Sequence, residues 1–299
     1  MSGTYVAATS VEQAVKALGD GARPVAGGTD IVVGSRQGKK PLPAALVAIH
    51  GIDALRGITS AGAGLRLGAL VTHEEIESHA VVRERFTGLA DASAIVGSRA
   101  TRANGTIGGN VMNASPAMDT GAPLICLGAT VVLQGPGGTR SVAIDELFTG
   151  PGTTVASPDE LLIAVDLPAP APGTGSAYVR LEYRRQMEIA IVGAAASVTI
   201  VGGKVTAARV AITALAPTIH RVTAAEEALV GSDGGRAAAT AAASAAASAS
   251  APISDVRGSA DYRRAMAAVI ARRAIEAAIA RAGGADVGIP ASSSTYAAV

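Results

Sequence analysis

Two glycine pairs carry the clearest chemistry in this chain. One lies in Ala26-Gly27-Gly28-Thr29-Asp30, the other about eighty residues later in Gly105-Thr106-Ile107-Gly108-Gly109-Asn110. A glycine has no Cβ to hold an anion away from its amide, and it reaches backbone conformations that other residues avoid. Amides turned outward in this way cradle phosphate oxygens without a basic side chain. In the second loop Thr106 adds a hydroxyl, Gly108 and Gly109 add N–H groups, and Asn110 adds a side-chain amide. Two such loops suit two clamps on one diphosphate, and so a dinucleotide. Neither is the G-x-G-x-x-G fingerprint of a βαβ unit, and no G-x-x-x-x-G-K-[ST] occurs, so a different architecture is expected. Valine at Gly108 or Gly109 is expected to abolish ligand retention and leave the chain folded.

Asn113-Ala114-Ser115-Pro116-Ala117-Met118-Asp119 follows directly. Pro116 suits the first turn of a helix capped by Ser115, which would put Asp119 one turn inside. A carboxylate there accepts from sugar hydroxyls or complements the helix dipole. Arg180, Arg184 and Arg185 cluster with Glu182 and Glu188, and the plain reading is a solvated strand edge with ion pairs. His50, His73, His79 and His220 lack metal-ligand spacing and are read as structural. No G-x-S-x-G or H-E-x-x-H occurs. Cys126, in the apolar run Leu124-Ile125-Cys126-Leu127, is expected to be a buried thiol.

Aiming these loops requires strands and helices on either side. Residues 1–56 read as a small α/β unit. Its helix opens at Ser10 with capping-box spacing and ends near Gly19. A strand over 23–26 feeds the first loop, and 46–49 is a second strand. Residues 57–173 read as another unit, with strands at 64–69, 130–134 and 160–167. Its helices run from a capping box at Thr72, through 89–95, and over 119–127. Pro168–Gly175 is rich in Pro and Gly and marks a boundary. Residues 174–284 read as strands (177–183, 194–201, 205–214) followed by helices (222–230 and 261–281), an α+β order. The Ala-rich stretch 237–251 is a helix or a linker, and 285–299 a flexible tail.

With 299 residues, 49% of them hydrophobic, the chain can build a substantial core. Net charge is +1 with no basic block, which argues against nucleic acid. No apolar run of about eighteen residues appears, so no transmembrane segment is expected. The N-terminus carries no secretory signature, and a cytoplasmic protein is expected. A single cysteine excludes an iron–sulfur cluster held by this chain alone.

The ordered set Ala-Gly-Gly-Thr-Asp, Gly-Thr-Ile-Gly-Gly-Asn and Ala-Ser-Pro-x-x-Asp resembles the FAD-binding subunit of molybdenum hydroxylases, the xanthine dehydrogenase and aerobic CO dehydrogenase type. Phe148-Thr149-Gly150-Pro151-Gly152, Ser157-Pro158-Asp159-Glu160-Leu161-Leu162 and Asp255 to Arg264 agree. The resemblance implies an α+β chain with the p-cresol methylhydroxylase-type FAD-binding fold. Two α/β subdomains would precede a C-terminal α+β domain of antiparallel strands and helices. It implies a first FAD loop of Val25, Ala26, Gly27, Gly28, Thr29, Asp30, Ile31 and Val32. The second would be Thr106, Ile107, Gly108, Gly109 and Asn110, with Asp119 on the ribityl or adenosine side. Val96 would lie near the adenine or flavin edge, and Leu162 and Arg180 near the isoalloxazine, where a cation favours the reduced ring.

The resemblance also implies partners. A small subunit with [2Fe–2S] clusters and a large subunit with the molybdenum cofactor would complete a heterotrimer, expected to dimerise. Ile189, where CO dehydrogenase subunits commonly carry an aromatic residue, and Ala114-Ser115-Pro116, in place of Gly-Asp-Pro, lean toward purine or N-heterocycle hydroxylation, with CO dehydrogenase as the alternative. Other readings are a stand-alone flavin oxidase, a reductase of the UDP-N-acetylenolpyruvoylglucosamine type, and a scaffold that has lost FAD.

Overall fold

The computed structural model describes residues 3–38, 41–184 and 186–293. The chain begins with β1 (Thr4–Ala7), α1 (Val11–Gly19), β2 (Arg23–Val25), α2 (Thr29–Arg36) and β3 (Ala45–Ala48). These strands form a parallel sheet in the order β1-β3-β2. Parallel neighbours need helical crossovers, and α1 and α2 supply them. Ser10 caps α1 by accepting from the Gln13 N–H, while the Gln13 side chain accepts from Thr9 N–H. Ala14, Val15 and Leu18 of α1 pack on Val47 and Ile49.

A second set follows: β4 (Ile58–Ala61), β5 (Gly64–Gly68), α3 (His73–Ser78), α4 (Ala80–Arg85), α5 (Thr87–Ser93), α6 (Arg99–Arg102), α7 (Ile107–Asn113) and α8 (Gly121–Leu127). It continues with β6 (Thr130–Gly135), β7 (Gly138–Ala143), α9 (Ile144–Leu147), β8 (Phe148–Gly150), β9 (Thr153–Thr154) and β10 (Leu161–Leu167). The main sheet here is antiparallel throughout, in the order β4-β5-β10-β6-β7. Thr72 and Glu75 close a reciprocal capping box that starts α3.

The third set is β11 (Thr174–Leu181), β12 (Val192–Val201), β13 (Lys204–Thr213), β14 (His220–Arg221), α10 (Thr223–Leu229), α11 (Arg236–Ser248) and α12 (Ala260–Ala282). Its sheet is antiparallel, β11-β12-β13-β14. One face, with Val179, Ala194, Ala196 and Val210, packs on α11 and α12. The other, with Tyr178, Ala195 and Ala211, joins the core built around α5 and α8. The Ala-rich stretch is helix α11. Its buried Ala239, Ala242, Ala243 and Ala246 recur at helical spacing, and their small size lets the neighbouring helices approach closely.

The final segment differs from the flexible tail expected over 285–299. Ala291 and Ser292 are buried, and Ala291 N–H donates to Asp91 Oδ1 at 2.9 Å. Arg281 donates to both Asp91 oxygens and to the carbonyls of Val287 and Gly288, which straps the segment down. Residues 294–299 lie outside the described residues.

Candidate functional site

The two glycine loops meet. A Cβ on Gly27 would overlap the carbonyl of Asn104, so only glycine lets the first loop lie against the start of the second. Gly105 faces Thr29 and His73. His73 N–H donates to Gly105 O at 3.1 Å, and the buried His73 ring sits beneath the junction. Burial, with Arg102 nearby, lowers the pKa of His73 to about 4, so its imidazole is neutral.

The loops differ in who holds their amides. Helix α2 starts at Gly28, which is left-handed at φ +70° and offers no side-chain cap. Among the described residues, the N–H groups of Gly28, Thr29 and Ile31 meet no acceptor. They form the open positive end of a helix, and Gly27 and Asp30 beside them are exposed. Val32 is 44% exposed on the same short helix, and Val25, Ala26 and Ile31 are half-buried.

The second loop is closed. Ile107 N–H donates to Val71 O at 2.8 Å, Gly108 N–H to Ala69 O at 3.0 Å, and Gly109 N–H to the capping Thr106 hydroxyl at 3.1 Å. The expectation that Gly108 and Gly109 offer their amides to a ligand is therefore corrected: the Ala69 carbonyl, just after β5, and the Thr106 hydroxyl already take them. Gly108 is also a packing glycine, since a Cβ there would lie 2.7 Å from Ala69 O. Valine at Gly108 would consequently disturb the fold itself. Gly109 is different. It is exposed, and a Cβ would meet only Thr106 Oγ1, at 3.0 Å. Asn110 accepts from Thr120 Oγ1 through Oδ1 at 2.6 Å, which leaves Nδ2 without an acceptor among the described residues.

Asp119 is not inside a helix. Pro116 O accepts from Ala214 N–H and from Thr213 Oγ1, so residues 115–120 form a turn, and α8 starts only at Gly121. Its carboxylate accepts from Tyr178 Oη at 2.8 Å and from Arg180 Nη1 at 2.8 Å. Burial pushes the carboxyl up from its usual range, against the pull of Arg180 and the phenol.

Arg180 is wholly enclosed between Asp119 and Glu182, rather than on a solvated edge. Burial opposes its charge, but Asp119, Tyr178 and Glu182 outweigh that and keep it protonated. With no exposed surface, it reaches Asp119 and not solvent. Arg184 is exposed and pairs with Glu188, while Arg185 lies outside the described residues. Leu162 is buried in β10, and Val96 is half-buried in the turn after α5. The structure thus brings the two loops into contact and places Asp119 beside the second, through the Thr120–Asn110 bond, with Arg180 behind it. Tyr178 was missed, although two residues from Arg180 on one strand is a same-face spacing.

A cavity of about 750 Å³ lies elsewhere, at the far ends of β11–β13. Its Arg221 and Glu226 are paired, and Cys126 on its wall is buried, which pushes the thiol pKa up and keeps it inert. Among the described residues no group of His, Cys, Asp and Glu could hold a metal, and no helix is long and apolar enough to cross a membrane.

The open amides, close-packed glycines and unspent Asn110 nitrogen fit an anionic diphosphate. Comparison with known proteins agrees. Residues 1–170 match the family described as FAD binding domain in molybdopterin dehydrogenase, and 177–278 match the CO dehydrogenase flavoprotein C-terminal domain. The carbon monoxide dehydrogenase medium chain of Afipia carboxidovorans is 36% identical over 89% of this chain and 91% of its own. The xanthine dehydrogenase FAD-binding subunit of Escherichia coli O157:H7 is 29% identical over 94% and 97%. A solved carbon monoxide dehydrogenase from Hydrogenophaga pseudoflava superposes with a TM-score of 0.90 at 36% identity, covering 94% of this chain and 98% of that one. The lean toward purine hydroxylation is not supported, since the CO dehydrogenase chains share more of the sequence. Single positions such as Ile189 carry less than identity spread over the whole chain.

Proposed function

Because the chain belongs to the FAD-binding medium subunits of the molybdenum hydroxylases, we propose that its glycine cleft grips the FAD diphosphate between two unequal walls. The amides of Gly28, Thr29 and Ile31 at the head of α2 donate to the phosphate oxygens. Gly109 lets the opposite wall come close, and Asn110 Nδ2 adds a donor. Asp119 accepts from a sugar-chain hydroxyl. The observation that carries this reading is the open head of α2 facing a loop that Gly27 allows to touch it.

What FAD supplies when bound is exchange between single-electron donors, the [2Fe–2S] clusters of a small partner subunit, and an external acceptor. The chain's own part is to bind, orient and enclose it. A large subunit with the molybdenum cofactor completes the assembly. The reading is of the carbon monoxide dehydrogenase type, supported by the 36% and 35% identities to two such medium chains.

Titration of the flavin-free full-length chain with FAD and with FMN tests the site. FAD should bind and FMN, lacking the diphosphate bridge, should bind far more weakly; equal binding, or none, would overturn the reading. For the substrate, the co-purified complex should contain molybdenum and iron and reduce a dye with carbon monoxide. Dye reduction by an N-heterocycle alone would count against it.

A further inference from the structure

The turn that carries Asp119 is held from the C-terminal sheet. Thr213 Oγ1 donates to the carbonyls of Pro116 and Met118, at 2.8 and 3.0 Å, and Ala214 N–H donates to Pro116 O at 2.7 Å. These bonds fix the backbone. The carboxylate is fixed separately by Tyr178 and Arg180, which share one face of β11. Gly193, opposite Arg180 on β12, is what admits the phenol: a Cβ there would overlap Tyr178 Oη. Tyr178 is fully buried, and no bond from its hydroxyl other than that to Asp119 exists among the described residues.

An ionised carboxylate has about four lone-pair sites. Two are taken, and Asp119 keeps a small exposed surface of 8%. Next to it, Thr120 bonds Asn110 of the second loop, which sets Asp119 beside that loop.

We propose that Tyr178 is a positioning residue for cofactor binding, holding Asp119 in one orientation so that a remaining lone pair meets a hydroxyl of the bound dinucleotide. The inference rests on the FAD reading above. The titratable and charged groups that face Asp119 are Tyr178, Arg180 and Glu182. Burial raises the carboxyl, and the phenol is one of the two groups that oppose it, so removing the hydroxyl raises it further. A protonated Asp119 is the poorer acceptor. FAD affinity therefore weakens as pH falls through this group, and it does so at a higher pH once the hydroxyl is gone.

The test is FAD titration of the full-length chain across the acidic range. Tyr178→Phe fills the same space and should fold, which thermal unfolding checks. Its FAD dissociation constant should rise about fivefold to tenfold, the scale of one hydrogen bond. The midpoint of acid-induced FAD loss should move to higher pH. Wild-type affinity and an unmoved midpoint in this variant would overturn the proposal while leaving the FAD site intact. Should Tyr178→Phe not fold, Asp119→Asn is read instead: weakened FAD binding with the acid midpoint abolished supports the proposal, and wild-type binding overturns it. Failure of the wild-type chain to take FAD at all would remove both the proposal and the reading beneath it.

Discussion

The first and second glycine loops look alike as sequence and differ as structure. At the first, a left-handed Gly28 opens a helix with no side-chain cap, and the amides of Gly28, Thr29 and Ile31 meet no acceptor among the described residues. At the second, Thr106 caps the helix, and the carbonyls of Val71 and Ala69, just after β5, take the amides of Ile107 and Gly108. One loop leaves amides open, as the proposed diphosphate grip requires, and the other is a joint built into the fold. A glycine pair thus reports close approach of backbone, but not whether the approaching atom belongs to a ligand or to the protein.

The contrast breaks most visibly at Gly108. Gly108→Val drives side-chain atoms into Ala69, and the expected cost lies at or beyond about 3 kcal/mol, the upper end for overpacking. Thermal unfolding should show a large drop; a variant as stable as wild type would mean that the second loop is not a joint.

Acid sharpens the same point through His73. Its folded pKa of about 4 lies below the ordinary value of 6.5, so the unfolded chain binds the extra proton between these values. The contribution is fully present above pH 6.5 and is lost as pH falls toward 4, by up to about 3 kcal/mol. His73→Gln should flatten that part of the stability–pH profile, and an unchanged slope would remove His73 from the joint.

Gly109→Val should change stability by less than about 1 kcal/mol, because only the Thr106 hydroxyl stands in its way. FAD affinity should nevertheless fall about tenfold or more, near 1.4 kcal/mol. Intact affinity in a folded Gly109→Val chain would undo the division between the two glycines.

Much of the frame was legible in the residues. The Thr72–Glu75 box, the Gly135–Gly138 hairpin turn and the three long strands after Thr174 all follow local patterning. What escaped has local causes too. Helix α2 has no capping side chain, and Ile31-Val32-Val33 is a run without helical period. Strand β1 is exposed at all four residues, so it shows no alternation. The turn at Asp119 escaped because its partners, Thr213 and Ala214, lie almost a hundred residues away. At the site, residue types were readable, whereas the acceptors that consume the amides of Ile107 and Gly108 are the carbonyls of Val71 and Ala69, which carry no side-chain signature.

The lone sulfhydryl, Cys126, is sealed at the foot of the C-terminal sheet, its Sγ donating to Ala195 O. The polypeptide is therefore silent toward thiol reagents as nature supplies it. A cysteine introduced at exposed Asp30 or Asn104 would be the sole attachment point for a spectroscopic probe, and ligand binding beside the two loops could be followed with no background.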